Sequence, residues 1–255
     1  MRNLIITITA VLFAGCASCS TNTTFASGQQ KHLSMPIIKQ LVIPSDDGQQ
    51  GVATDGEFIY VQNTQQLLKY RFNGKLVMEG PRLKLHHGGI VFVKNQIYAA
   101  VSSCEPEGSG EHFVHVYDSN SLELIRVYDV GEHFTVCAGG IAHSKGNFFV
   151  AESFFDNDHS DRIVEFDSAF RYIKTHEINF KSPFGIQGLV FLPYRKQFQV
   201  HSHMKVFYRI SEQFESDSLV LGQSEFDLQD LARLNRETLI INHRHAESLE
   251  FVKIR

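Results

Sequence analysis

The sequence predicts an all-β protein, a five-bladed β-propeller of four-stranded antiparallel blades, closed by the amino-terminal strand pairing with the last blade. Three observations carry that prediction. Five segments share one pattern, an apolar strand opened by a small or polar marker, a tight turn, and a second apolar strand. The markers are Gly51, Gly89, Gly140, Gly188 and Asp230, separated by 38, 51, 48 and 42 residues, within the roughly 40–50 residues of a four-stranded propeller blade. In four of the five, the apolar run of the second strand opens nine residues after the marker, at Tyr60, Tyr98, Phe149 and Leu239; in the fourth segment it opens ten on, at Phe198.

The remaining strands follow in order. A third strand is expected at residues 67–72, 112–117, 162–166, 205–210 and 249–254, with turn residues such as Asn73-Gly74 and Asp118-Ser119-Asn120 behind it. A fourth strand follows in four units, at residues 76–79, 124–130, 172–178 and 219–221. The fifth unit ends at Arg255 without one, and residues 36–44 supply it from the other end of the chain. Such closure leaves the ring no open seam.

Ahead of the repeat, Arg2 precedes an apolar run at residues 4–13 that ends in Ala14-Gly15 before Cys16. That is the pattern of an export signal, too short to remain as a membrane-spanning helix. The run Leu12-Phe13-Ala14-Gly15-Cys16 resembles a bacterial lipobox, which implies cleavage and lipidation at Cys16; an ordinary secretory signal with a chance cysteine is the other reading. The expected organisation is therefore a signal peptide at 1–15, a lipidated cysteine and flexible tether rich in Ser, Thr, Asn and Gly at 16–33, and one propeller domain at 34–255. The expected location is the bacterial cell envelope, lipid-anchored and facing the periplasm or exterior.

Net charge is −4 and acids and bases alternate along the chain, so no basic stripe marks a nucleic-acid partner. With no Trp but 21 Phe and 8 Tyr, any aromatic surface is built from the latter two. Cys104 and Cys137 flank one long excursion between adjacent blades, and an oxidising compartment permits a disulfide between them; two reduced core cysteines are the alternative.

In an up-and-down blade the start of the first strand and the end of the second share one rim, so their polar residues are expected at one channel mouth. Expected ligand contacts are Gln50, Asn63, His87, Gln187, Gln229, Asn242 and His243. Expected chemistry falls to Glu152, His201 and Arg244. Glu152, the sole carboxylate at the matched second-strand position, reads either as a proton-transfer group or as an acceptor of backbone hydrogen bonds. Arg244 reads either as a clamp for a ligand carboxylate or phosphate or as half of a salt bridge. His201 and His203, two apart on a strand, are expected on one face. With His87 they read either as a site for one divalent metal ion or as hydrogen-bonded rim histidines. No nucleophile elbow, P-loop, HExxH, CxxC or dinucleotide fingerprint occurs.

Two resemblances rest on these residues. GVATDGEFIYVQN from Gly51 and GIAHSKGNFFVAE from Gly140 look like the repeat of the NHL and gluconolactonase-like propellers, which implies the fold. Gln187-Gly188-Leu189 and Ala151-Glu152-Ser153 are similar to the strand start and strand end of the glutamine cyclotransferases, themselves five-bladed, which implies a site at this mouth. The expected function is an exported enzyme acting on a small polar, sugar-acid or peptide-like ligand, by lyase or hydrolase chemistry in preference to cyclisation. A non-catalytic envelope propeller that binds a protein or glycan is the alternative.

Overall fold

The computed structural model describes residues 35–43, 50–103, 110–156, 158–203, 205–215, 218–223, 228–243 and 248–254. Expectations that fall on Cys16, Cys104 and Arg244, and on the signal and tether, lie outside those residues.

Among the described residues twenty strands form five four-stranded antiparallel sheets. Blade 1 comprises β2 (Gly51–Thr54), β3 (Phe58–Gln62), β4 (Leu67–Arg71) and β5 (Leu76–Glu79). Blade 2 comprises β6 (His86–Val93), β7 (Gln96–Ser102), β8 (His112–Asp118) and β9 (Leu124–Asp129). Blade 3 comprises β10 (Cys137–Ser144), β11 (Asn147–Ser153), β12 (Arg162–Phe166) and β13 (Tyr172–Glu177). Blade 4 comprises β14 (Gly188–Leu192), β15 (Gln197–His201), β16 (Val206–Ser211) and β17 (Val220–Gln223). In blade 5, β18 (Leu228–Arg233), β19 (Thr238–His243) and β20 (Ser248–Lys253) are completed by β1 (Ile37–Val42), which pairs with β20 from Ile37↔Val252 to Val42↔Ser248. The predicted closure by the amino-terminal strand is thus the one found.

The core is divided among the five seams between neighbouring blades, because each blade buries both faces. Leu68 and Tyr70 of blade 1 meet Ile240 and Phe251 of blade 5. Tyr60 meets Ile97 and Tyr117 across the next seam, and Val114 meets Phe148, Val150 and Phe166 across the third. Phe149 packs on Phe198 at 4.8 Å between blades 3 and 4, and Leu192 and Leu231 meet Ile241 between blades 4 and 5. Phe and Tyr supply the wedge-filling bulk in a chain without Trp.

The inner strands converge too closely for side chains, which explains the glycine markers. A Cβ on Gly51 would stand 2.8 Å from the Gly88 carbonyl oxygen, and one on Gly140 would stand 2.9 Å from the Leu189 amide nitrogen. Bulges shift the register at Gly88-Gly89, Gly139-Gly140 and Gln229. Each re-aims the chain at the upper end of the channel.

Where blade 5 departs from glycine, Asp230 fills the axis. Its carboxyl is buried and accepts the amide N–H of Val52 at 2.9 Å and of Ile90 at 3.2 Å on Oδ2, thereby joining blades 1, 2 and 5. Oδ1 makes no hydrogen bond of ordinary geometry, although the amides of Leu231 and Leu189 also favour its ionised form. Desolvation outweighs these donors and pushes the pKa up to about 8.

Candidate functional site at the channel mouth

A cleft of about 450 Å³ opens at the rim where the first strands begin. That is within the size range of small-molecule sites. Three glutamines form its polar side. Gln229, re-aimed by the bulge before Asp230, donates from Nε2 to Gln50 Oε1 at 3.0 Å and to Gln187 Oε1 at 3.3 Å. Its own Oε1 is buried without a hydrogen-bond partner. His86, His203, Ser153 and the backbones of Gly88 and Gly139 add to the polar lining, and Phe154, Phe155 and Phe184 form an apolar wall. Phe155 and Phe184 are among the exposed large apolar side chains.

That wall is held by an unusual start to blade 4. Phe184 and Gly185 both take positive φ, 61° and 69°. Phe184 returns its carbonyl to the N–H of Phe154 at 2.9 Å, and Ile186 N–H donates to the Glu152 carbonyl at 3.0 Å. A side chain at Gly185 would collide with the Glu152 carbonyl and the Phe154 ring, each at 2.7 Å. The Phe184 ring meets the His203 imidazole edge-on at 5.6 Å.

The structure divides the expected residues into two sets. Gln50, Gln187, Gln229 and His203 line the cleft, as does Cys137, which is disulfide-bonded. Ser153 at the end of β11 also reaches it, but the expected second-strand residues Asn63, Val101, Glu152, His201 and Asn242 are buried away from it. The second strand lies one position out from the axis, so its side chains enter the seams between blades and not the channel.

Each of these buried groups has its own surroundings. Glu152 Oε1 accepts from the backbone N–H of Thr135 at 2.5 Å, the Thr135 hydroxyl at 2.6 Å and the Val136 N–H at 3.3 Å, while Oε2 lies 3.0 Å from Arg162 Nη1. This is the hydrogen-bond-acceptor reading of Glu152. Asn63 Oδ1 accepts the amides of Gln65 and Gln66, bracing the turn after β3. Both ends of the Asn242 amide lack a hydrogen-bond partner. His243 Nε2 lies 3.0 Å from Glu250 Oε2, both side chains being buried.

The three imidazoles expected to share an ion each have their own hydrogen-bond or ring partners. His87 Nε2 accepts the Tyr117 hydroxyl at 2.7 Å and its Nδ1 donates to the Leu85 carbonyl at 3.0 Å, with burial lowering the pKa to about 4. His201 stacks on Phe207 at 5.3 Å and accepts from the Gln199 side-chain amide at 3.3 Å; complete burial, then the positive charge of Arg209, lowers its pKa to about 3. β15 ends at His201, so the alternation that would have put His203 on the same face stops there, and His203 turns to the cleft. Among the described residues no group of three or more His, Cys, Asp or Glu side chains is gathered in metal-binding geometry.

Sequence reasoning missed the aromatic wall. Its signal was the Phe154-Phe155 pair directly after the Glu152-Ser153 strand end, together with Phe184 before the Gly185 that only a glycine can occupy. The Asp230 marker carries a carboxyl that clasps three blades, a role with no signal in the repeat pattern.

A ring of five four-stranded blades with an amide-lined mouth defines this chain as a five-bladed β-propeller. Similar solved structures include the glutaminyl cyclase of Myxococcus xanthus, with 10% identity, a TM-score of 0.67, and coverage of 88% of this chain and 100% of that one. A chain of the nidogen–laminin complex is also similar, with 12% identity, a TM-score of 0.57, and coverage of 80% and 75%. At such identities the likeness is one of fold. No family model and no curated protein matches the sequence.

Proposed function

We propose that this is an exported propeller, attached to the bacterial envelope through a lipid on Cys16, whose mouth cleft binds a small polar ligand of the sugar-acid or peptide-end class. The observation that carries the reading is Gln229. A buried amide oxygen without a donor is costly, by roughly 1–3 kcal/mol, and this one belongs to a side chain that lines an open cleft, where a ligand N–H or O–H that turns the amide can satisfy it. The aromatic wall opposite offers contact area to an apolar substituent.

Acid–base chemistry in this cleft falls to His86 and His203, since Glu152 is committed to Thr135, Val136 and Arg162. Proton transfer between a bound ligand and these imidazoles fits a lyase or hydrolase. The committed state of Glu152 favours the second reading, a propeller that binds its ligand without turning it over.

Thermal-shift screening of the purified protein against dipeptides, N-acyl amino acids and sugar acids tests both, because a specific ligand raises the unfolding temperature. The expected result is one stabilising class whose affinity falls about tenfold or more in Gln229→Leu. A stabilising class that binds Gln229→Leu equally well, or no stabilising class at all, defeats the cleft as the site. Turnover of that ligand, lost in His203→Ala with binding retained, selects the enzyme; binding without turnover selects the binding module.

A further inference from the structure

The face opposite the mouth carries a feature that the linear sequence hides. The turns joining first to second strands all lie there, and blades 4 and 5 bring three separate basic stretches together. Arg195 and Lys196 sit in the β14–β15 turn, Arg233 and Arg236 flank the β18–β19 turn, and Lys253 ends β20. All five are exposed. Arg195, Arg236 and Lys253 line one groove of about 370 Å³ with Tyr194, over whose ring the Arg236 guanidinium lies at 5.1 Å. The acidic member of the groove is Glu237, 3.7 Å from Lys253 Nζ. Nearby Glu212 is held by Lys145 at 2.8 Å. Behind the patch, burial and then the charge of Arg195 lower the pKa of Arg209 to about 10.

The described chain begins at this same place. Met35 packs on the cluster of Leu192 and Ile254, and the Pro36 carbonyl accepts the Lys253 N–H at 3.0 Å before β1 runs up the outside of blade 5. Met35 therefore enters the ring beside the cationic groove, on the side away from the cleft. From Cys16 to Met35 the covalent reach is at most roughly 65 Å.

We infer that the Arg195–Arg236–Lys253 face docks on an anionic phospholipid surface, so that the ring lies on the membrane with its ligand cleft directed outward. The inference rests on lipidation at Cys16, as proposed above. A lipid on Cys16 holds the ring near the membrane without setting its orientation, and a basic patch decides which face meets the surface. Exposed guanidinium and ammonium groups meet phosphate headgroups, and Tyr194, 63% exposed, is a side chain suited to the headgroup layer. The cation count is carried by three chain segments, so only the folded ring presents it.

Lysine acetylation footprinting of the mature full-length protein tests this, in vesicles of phosphatidylcholine alone and with a quarter phosphatidylglycerol. Lys196 and Lys253 are expected to be protected about fivefold or more on the anionic vesicles only, with Lys84 on the cleft rim unchanged; high salt and Arg195→Glu/Arg236→Glu each abolish the protection. Equal modification of Lys253 and Lys84, protection on both vesicle types, or protection that requires an added acidic protein or nucleic acid overturns the inference. Intact mass reads the anchor separately. A mature protein without a lipid at Cys16 defeats the anchor and the docking with it, whereas a lipidated protein with unprotected lysines defeats the docking alone.

Discussion

The carboxyl oxygen Oδ2 of Asp230 accepts the backbone N–H of Val52 at 2.9 Å, joining the last blade to the first across 178 residues of chain. The same oxygen takes the Ile90 amide, so one side chain ties three blades at the axis. Its behaviour is the most direct test of how the ring is held.

Asp230→Asn keeps the shape of the group and removes its titration. The folded pKa of about 8 stands above the ordinary 3.8, so the folded state holds a proton that the unfolded chain has released. Stability contributed by this group therefore declines as pH rises through that window. Unfolding temperatures of both proteins between about pH 5 and pH 8.5 are expected to diverge, the wild type losing ground to the variant as pH rises. Parallel profiles would show that the group is already ionised. Asp230→Leu leaves the Val52 and Ile90 amides without an acceptor and costs roughly 1–3 kcal/mol for each.

His201 acts with the opposite sign. Its folded pKa of about 3 lies below the ordinary 6.5, so the unfolded chain gains a proton first as pH falls. Its contribution is complete above pH 6.5 and is lost below it. Urea unfolding at about pH 5 is expected to show a loss of about 2 kcal/mol from this residue relative to pH 7.5. His201→Gln, less stable at neutral pH, should lose correspondingly less on acidification.

Glu152→Ala separates a structural role from a catalytic one. Removing the carboxylate frees Thr135 and Val136 and leaves Arg162 without its partner at 3.0 Å. A cost of about 3 kcal/mol is expected, with faster amide exchange at Thr135 and Val136. Activity lost at unchanged stability would restore the proton-transfer reading.

Gly139→Ala tests the close approach of the inner strands. The added methyl would meet Ser153 Oγ at 2.0 Å and the Ile186 carbonyl at 2.4 Å, the second being backbone that cannot step aside. Loss of several kcal/mol, about 3 or more, is expected, read as a drop in soluble yield and unfolding temperature. Gly146→Ala is the control for position: space there is open and its φ of 91° carries the whole cost.

Cys137 lines the cleft and is disulfide-bonded. Peptide mapping without reductant is expected to link it to Cys104, closing a loop of about 33 residues whose chain-entropy value is roughly 3–4 kcal/mol. A link to Cys19 would contradict the pairing.

The sequence by itself determined the number of blades, their order and the closing strand, because each blade is a local hairpin repeat whose apolar period and turns are written in consecutive residues. It also determined which rim carries Gln50, Gln187 and Gln229, since strand polarity follows from blade topology alone. Tertiary structure decided what the side chains face. Glu152, His201 and Asn242 occupy the expected heights yet enter the seams, because the second strand stands one row behind the channel and its pleat alternates between two neighbouring blades. The aromatic wall depends on Phe184 and Gly185 folding back on Phe154, a contact between blades. The basic groove depends on two turns and the end of β20 meeting below the ring. Pairing within a hairpin is local and leaves a period in the chain, whereas the packing of one blade on the next joins residues with no fixed separation and leaves none.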